Sequence, residues 1–262
     1  MTLCKVELKT ENLIAKGDQV HFSRSSDVGP QSLKVTSADV PSLRVGDRME
    51  LGEIGFIVLS VGWLPGVGEA ASSPFYLLEA LTDIPEGERE YNVTRSGYSL
   101  AWVTLSDKGA AGKRTDESGP LIGKLVTEKL TLGRVQGFII PDEPQLLKGL
   151  LVDLALTQGF DLIMTTGGTG VGPRDITPEA TLAVIEKRLP GYERAMTAAS
   201  LHKTPHGAIS RAVAGTLGDA VIVNMPGSPK AVAECLEPLL PTLKHTLEKL
   251  QGDPSDCAIL RK

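Results

Sequence analysis

The chain has 262 residues, 41% hydrophobic and 23% charged, with a formal net charge of -5. That length holds one large domain or two small ones and can bury a full core without disulfide or metal staples. Only 4% of residues are aromatic and the charge balance is acidic, which argues against a stacking platform for single strands and against a nucleic-acid partner in general.

Taken in chain order, residues 1–10 carry Lys5, Glu7 and Lys9 and lack the apolar core of a secretory signal. The next segments read as short strands, Leu33–Thr36 and Phe56–Val61, separated by the turn signals Val45-Gly46-Asp47 and Leu51-Gly52-Glu53. Gly46 is expected to supply a positive φ. The uncharged stretch 54–67 is broken by Gly62, Pro65 and Gly66 and is too short to span a bilayer. After the small polar segment 69–73 and the break Pro85-Glu86-Gly87-Glu88, the rhythm changes between Ile84 and Tyr98. A β-rich domain over 1–93 and a second domain over 94–262 are therefore expected.

The second part alternates strand, loop and helix. Strands are expected at Tyr98–Leu105, Val135–Ile140, Phe160–Thr165 and Ala220–Asn224, and helices at 119–130, 146–156, from Thr177 and from Lys230. Asp142 with Gln145 fits a capping box, and Thr177 with Pro178 fits an N-cap followed by a first-turn proline. This alternation implies an α/β fold with a mostly parallel sheet flanked by helices, preceded by the small β-rich domain. Cys4, Cys235 and Cys257 are few and widely spaced, so no disulfide framework or zinc ribbon is expected and a reducing compartment is the simplest setting. A soluble cytoplasmic protein without membrane contact follows as an expectation.

Parallel strands send their following loops to one edge of the sheet, where ligands bind. In this chain those loops hold Ser106-Asp107, Asp142, Gly167-Gly168-Thr169-Gly170 and Pro226-Gly227-Ser228-Pro229. The glycine loop can turn successive amides toward a phosphate, though alone it is equally a tight turn; it has neither Walker A nor dinucleotide spacing. Arg174-Asp175 follows it. Carboxylates at a phosphate site repel the ligand unless a cation intervenes, so Asp142 and Asp175 suggest a shared Mg²⁺. The competing uses are a helix cap for Asp142 and a surface pair with Arg174 for Asp175. Arg211 and Lys230 are candidate cations. His202 and His206 are four apart, but Pro205 between them disfavours a shared helical metal face. Cys235 falls at apolar helical spacing, and no acyl-transfer motif is present.

From Tyr98 to about Leu250 the chain resembles molybdopterin adenylyltransferases, the bacterial Mog type and the G domain of gephyrin. The resemblance rests on Ser106-Asp107, Asp116-Glu117-Ser118-Gly119-Pro120, Pro141-Asp142-Glu143, Thr165–Gly170, Arg174–Ala180, Pro190-Gly191, Ser210-Arg211 and Asn224–Pro229 in this order. It implies a molybdopterin-binding α/β fold that transfers AMP from Mg-ATP to molybdopterin, releasing pyrophosphate. Asp142 and Asp175 match the essential aspartates, as catalytic and metal-binding residues. Ser106, Asp107, Ser118, Gly119, Thr166, Gly167, Gly168, Thr169, Gly170, Arg211, Pro226, Gly227 and Ser228 match the positions that bind pterin or nucleotide. A homotrimer and a metal-insertion enzyme as partner are further implications. Lys108 departs from the family pattern, standing where many relatives have Arg.

Residues 41–60 are similar to the late strands of MOSC domains, but the Gly-Asp-x-His signature and a suitably placed reactive cysteine are missing. A shortened MOSC-like barrel with a docking role is the expectation for the first domain. The alternative to the transferase is a non-catalytic molybdopterin carrier, which has less need of paired metal-binding carboxylates. A metal-insertion enzyme would carry further large domains, and a scaffold role finds no linker here.

Overall fold

A computed structural model describes residues 4–23, 33–36, 40–66 and 71–254. The chain divides into two compact units, Met1–Ser99 and Leu100–Lys262. In the first lie β1 (Lys5–Thr10), β2 (Gln19–Ser23), β3 (Lys34–Val35), β4 (Asp47–Leu51), β5 (Ile54–Leu64), β6 (Ser73–Ala80) and β7 (Gly87–Arg95). They form one sheet in the order β2-β6-β5-β4-β7-β1-β3, with antiparallel pairing throughout the assigned ladders.

Local chemistry explains the tight connections. Leu51 pairs with Ile54 across the two-residue loop Gly52-Glu53, and Gly52 takes the φ of +61° that such a loop needs. Gly46 has the positive φ expected of it. Alternation along the strands buries Leu8, Phe22, Met49, Phe56, Leu78 and Tyr91, and the Phe56 and Tyr91 rings meet edge to face at 5.6 Å. Asp47, at the end of this turn, is held by the Arg95 guanidinium at 2.7 Å and by the Arg44 amide at 2.8 Å. Strand β7 runs on to Arg95, past residue 93. The segment 69–73 lies partly, and Cys257 wholly, outside the described residues.

The second fold begins with β8 (Tyr98–Leu105), α1 (Asp107–Ala110), α2 (Ser118–Thr127), β9 (Leu132–Ile140), α3 (Pro144–Val152) and β10 (Leu162–Thr166). It continues with α4 (Thr177–Leu182), β11 (Lys187–Arg188), α5 (Pro190–Lys203), β12 (Ala214–Leu217), β13 (Ala220–Met225), α6 (Pro229–Leu236) and α7 (Leu240–Leu250). The sheet order is β11-β12-β13-β10-β8-β9. Strand β10 pairs in parallel with β8 and β13, whereas β12 pairs antiparallel with both β13 and β11.

The sheet is therefore mixed, which corrects the expected mostly parallel arrangement. The cause is a hairpin. Leu217 pairs with Ala220 across Gly218-Asp219, and Gly218 has a φ of +54°, so the chain returns on itself and adds the antiparallel strand β12, which the sequence reading did not include. The parallel trio still does what the site requires. Strands β8, β10 and β13 end at Leu105, Thr166 and Met225, and their following loops converge. Asn224, fully buried on β13, donates to the Thr165 and Thr181 hydroxyls at 3.0 and 2.9 Å, tying β10 and α4 to it. Among the described residues no helix is long and apolar enough to cross a membrane.

Candidate active site

A cavity of about 640 Å³ opens at these three strand ends. One wall is the glycine loop after β10. Gly167 has a φ of +97° and Gly168 one of +62°. A methyl group on Gly167 would come 2.6 Å from the Leu105 carbonyl oxygen, and one on Gly168 would come 2.5 Å from the Thr177 hydroxyl, so both positions demand glycine for conformation and for space. The Thr177 hydroxyl donates to the Gly167 carbonyl at 2.8 Å and its amide to the Gly168 carbonyl at 3.1 Å. Thr177 thus fastens the loop; it is the first residue of α4, not its cap.

Asp142 stands opposite, after β9. The expected capping box does not form. Pro144 occupies the first turn of α3, and the residue at its N-cap position, Glu143, makes no side-chain capping bond. The Asp142 carboxylate is used differently: Oδ2 accepts from the Asp107 amide at 3.2 Å, while the Asp142 amide donates to Asp107 Oδ1 at 3.1 Å. Its Oδ1 has no hydrogen-bond partner among the described residues and lies 3.5 Å from where a Gly168 side chain would begin. Burial, with the nearby carboxylates of Asp107 and Asp175, raises the Asp142 carboxyl above its usual value, against the opposing Asp107 amide and Arg174.

Asp107 is bound in turn by Arg174, with Nη2 2.8 Å from Oδ1 and Nε 3.2 Å from Oδ2. This guanidinium holds the Asp107 carboxyl below the ordinary range. Arg174 also donates to Glu143 at 3.0 Å; it does not make the pair with Asp175 that was the competing use of that carboxylate. Asp175 Oδ2 instead accepts from the Gly172 amide at 2.7 Å. A side chain on Gly170 would meet that oxygen at 2.7 Å.

Arg211 turns away from the cavity. Its Nε donates to the Gly170 carbonyl at 2.7 Å and one Nη to the Asp175 carbonyl at 2.8 Å, and it pairs with Glu179. It clasps the loop from behind, where a ligand contact was expected, because carbonyls exposed by the loop's irregular backbone need donors.

Two helix N-termini complete the cavity. Ser228 caps α6 through a bond from the Ala231 amide at 3.2 Å. Asp116 accepts from the Ser118 and Gly119 amides, both at 3.1 Å, and from the Thr104 hydroxyl at 2.6 Å. Gly119, Gly123 and Gly137 form a slot for Trp102; a methyl on each would approach its ring to 2.2, 2.9 and 2.4 Å.

The structure thus brings Ser106, Ser118, Asp142, Thr166, Gly167, Gly168, Asp175, Gly227 and Ser228 to one cavity. Asp107, Gly119, Thr169, Gly170, Arg211 and Pro226 do not line it, and Thr166 spends its hydroxyl on the Pro226 carbonyl at 2.6 Å. Thr104, Arg114, Thr115, Asp116 and Glu117 also line it and were not singled out as site residues. For Asp116 a signal existed: an Asp two residues before Ser118-Gly119-Pro120, at a helix start, is placed to accept from the first free amides. His202 lies in the last turn of α5, while His206 lies in a separate 3₁₀ turn, Pro205–Ile209. Among the described residues no three His, Cys, Asp or Glu side chains gather into a protein-only cation cage.

Comparison with known proteins places this site in a family. The family model described as a probable molybdopterin binding domain matches residues 101–245. The molybdopterin adenylyltransferase of Helicobacter pylori is 37% identical over 153 residues, covering 58% of this chain and 86% of that protein. The molybdenum cofactor synthesis protein cinnamon of Drosophila melanogaster is 38% identical over 160 residues, covering 61% of this chain; the match spans only 26% of the Drosophila protein. The crystal structure of the molybdopterin biosynthesis enzyme MoaB of Thermus thermophilus superposes with a TM-score of 0.55 at 40% identity, covering 61% of this chain and 99% of that one. With more than half its length matched, and with the second unit carrying the MoaB/Mog-type fold, the chain belongs to the molybdopterin-binding domain family.

Proposed function

We propose that the second unit transfers AMP from ATP to molybdopterin and releases pyrophosphate, the adenylylation step of molybdenum or tungsten cofactor biosynthesis. The observation that carries this reading is the placement of Asp142 and Asp175 in the cavity walled by the glycine loop, in a chain whose relatives include molybdopterin adenylyltransferases. A phosphate oxygen of molybdopterin attacks the α-phosphorus of ATP, a new P–O bond forms, and the bond to pyrophosphate breaks. The attacking oxygen is already ionised at neutral pH, so the chain need supply no general base. Its work is positioning and charge compensation.

The residues fit a Mg²⁺ ion. Each of the two carboxylates has one oxygen fixed by a backbone amide, at Asp107 and at Gly172, leaving the other oxygen for a cation. Mg²⁺ characteristically takes one or two carboxylates together with substrate phosphates and water. When bound it would neutralise charge on the triphosphate and leaving group. The Gly168 amide and the N-terminus of α6 supply further positive potential for anionic substrates.

The test is adenylyl-molybdopterin formation from Mg-ATP by the purified chain, Asp142→Asn and Asp175→Asn. Product from the wild type and none from either folded variant supports the transferase. Tight molybdopterin binding by the wild type without pyrophosphate release would leave the carrier reading. A homotrimer and a metal-insertion partner belong to the same reading; light scattering of the purified protein tests the first.

A further inference from the structure

We infer that Arg174 and Asp107 are positioning residues, a brace that fixes the two candidate metal-binding carboxylates relative to one another; this rests on the adenylyltransferase reading. The chain of contacts is continuous. Arg174 immediately precedes Asp175, whose own carboxylate is held by the Gly172 amide. Its guanidinium grips Asp107 through three donor contacts of 2.8, 3.0 and 3.2 Å. Asp107 is locked to Asp142 in both directions, amide to carboxylate each way, at 3.1 and 3.2 Å. The remaining Nη1 reaches Glu143, the neighbour of Asp142, at 3.0 Å. Elements after β8, β9 and β10, otherwise separate loops, are thereby cross-tied at the point where both carboxylates enter the cavity.

The planar fork of Arg174 suits this task because it engages two carboxylates at fixed angles, which an ammonium does not. Exposure separates positioning from stability. The Arg174 and Asp107 side chains are 53% and 50% exposed, so solvent screens their attraction and the pair adds little to folding. Its consequence is orientation, and Asp107 has no carboxylate oxygen left over as a dedicated ligand contact.

The experiment uses the full chain with Arg174→Gln, Arg174→Lys, Asp107→Asn and the double variant Arg174→Gln/Asp107→Asn. For the glutamine and asparagine singles, kcat should fall roughly tenfold to a hundredfold, as sub-ångström misplacement of reacting groups does, with KM for molybdopterin within about twofold. The double variant should cost no more than the worse single, because both break one unit. Arg174→Lys should recover part of the rate, and melting temperatures should move by no more than about 3 °C. A raised KM with intact kcat, or fully additive losses, would overturn the brace in favour of direct ligand contacts. An activity-independent readout accompanies these. Amide hydrogen exchange at Asp107 and Asp142 should accelerate at least about tenfold in Arg174→Gln while β10 amides stay unchanged. Unchanged exchange at Asp107 and Asp142 would sink the brace even if the wild type proves to be no transferase; absence of product from wild type alone counts against the proposed reaction.

Discussion

The Ser118 hydroxyl donates to the Gly227 carbonyl at 2.9 Å, joining the first turn of α2 to the loop that opens α6 across 109 residues of sequence. Ser118 is only 5% exposed. Ser118→Ala removes this hydrogen bond, so the second unit should lose about 1 kcal/mol of stability. Because both helix N-termini border the cavity, KM for the anionic substrates should rise more than kcat falls. Thermal melting and steady-state kinetics on the same preparation check both parts; unchanged KM would show that the tie does not shape the binding wall.

Gly168→Ala meets two obstacles, a φ of +62° and the Thr177 hydroxyl 2.5 Å from the new methyl. Strain of this kind costs roughly 1–3 kcal/mol. The same methyl points toward Asp142, so activity should be lost before folding is. Gly191→Ala is the control, since nothing lies within 4 Å of its added carbon and its φ is ordinary. Equal behaviour of the two variants in melting and turnover would count against the assignment.

Asp142 links pH to stability. Its carboxyl sits above the ordinary 3.8, chiefly because burial disfavours the charge. The folded protein therefore holds this proton more tightly than the unfolded chain. The resulting stabilisation is complete below the unfolded value and is lost as pH rises through the folded one. At pH 7 the carboxylate is in its disfavoured form, so Asp142→Asn should melt higher than wild type while losing activity. That advantage should shrink as pH falls toward 4. Added Mg²⁺ should raise the melting point of wild type more than that of the variant. A variant that melts lower at pH 7 would contradict this account.

Arg211→Ala should loosen the segment from Gly170 to Asp175, lowering kcat roughly tenfold by misplacing Asp175. Arg211→Lys should not restore it, because one ammonium cannot repeat the two angled bonds to the Gly170 and Asp175 carbonyls. Proteolysis within 170–175 provides a second reading, with faster cleavage expected in both variants.

The parallel core was legible because β8, β10 and β13 are short apolar runs followed by glycine or proline loops, and buried parallel strands have this texture. Their topology then carried the convergence of Ser106, Gly167 and Ser228, and the apolar run of β9 beside β8 brought Asp142 to them. What escaped the sequence depended on direction and partnership. Asp142 and Gln145 have capping-box spacing, yet the carboxylate turned to the Asp107 amide, a contact 35 residues distant. Arg211 announces a charge but not where it points. Strand β12 has only the four small or mixed residues Ala-Gly-Thr-Leu, too few for a period, and only the Gly-Asp dipeptide after it betrays the hairpin that makes the sheet mixed.

The glycine slot around Trp102 has an optical consequence. The chain has two tryptophans, and each unit holds one: Trp63, 66% exposed in the first, and Trp102, packed beside Gly119 and Asp116 at the foot of α2 in the second. Their emission should therefore separate, red-shifted from the solvated Trp63 and less so from the half-buried Trp102. A Trp63→Phe chain would carry a single intrinsic fluorophore within one side chain of the substrate cavity, reporting occupancy without any attached label.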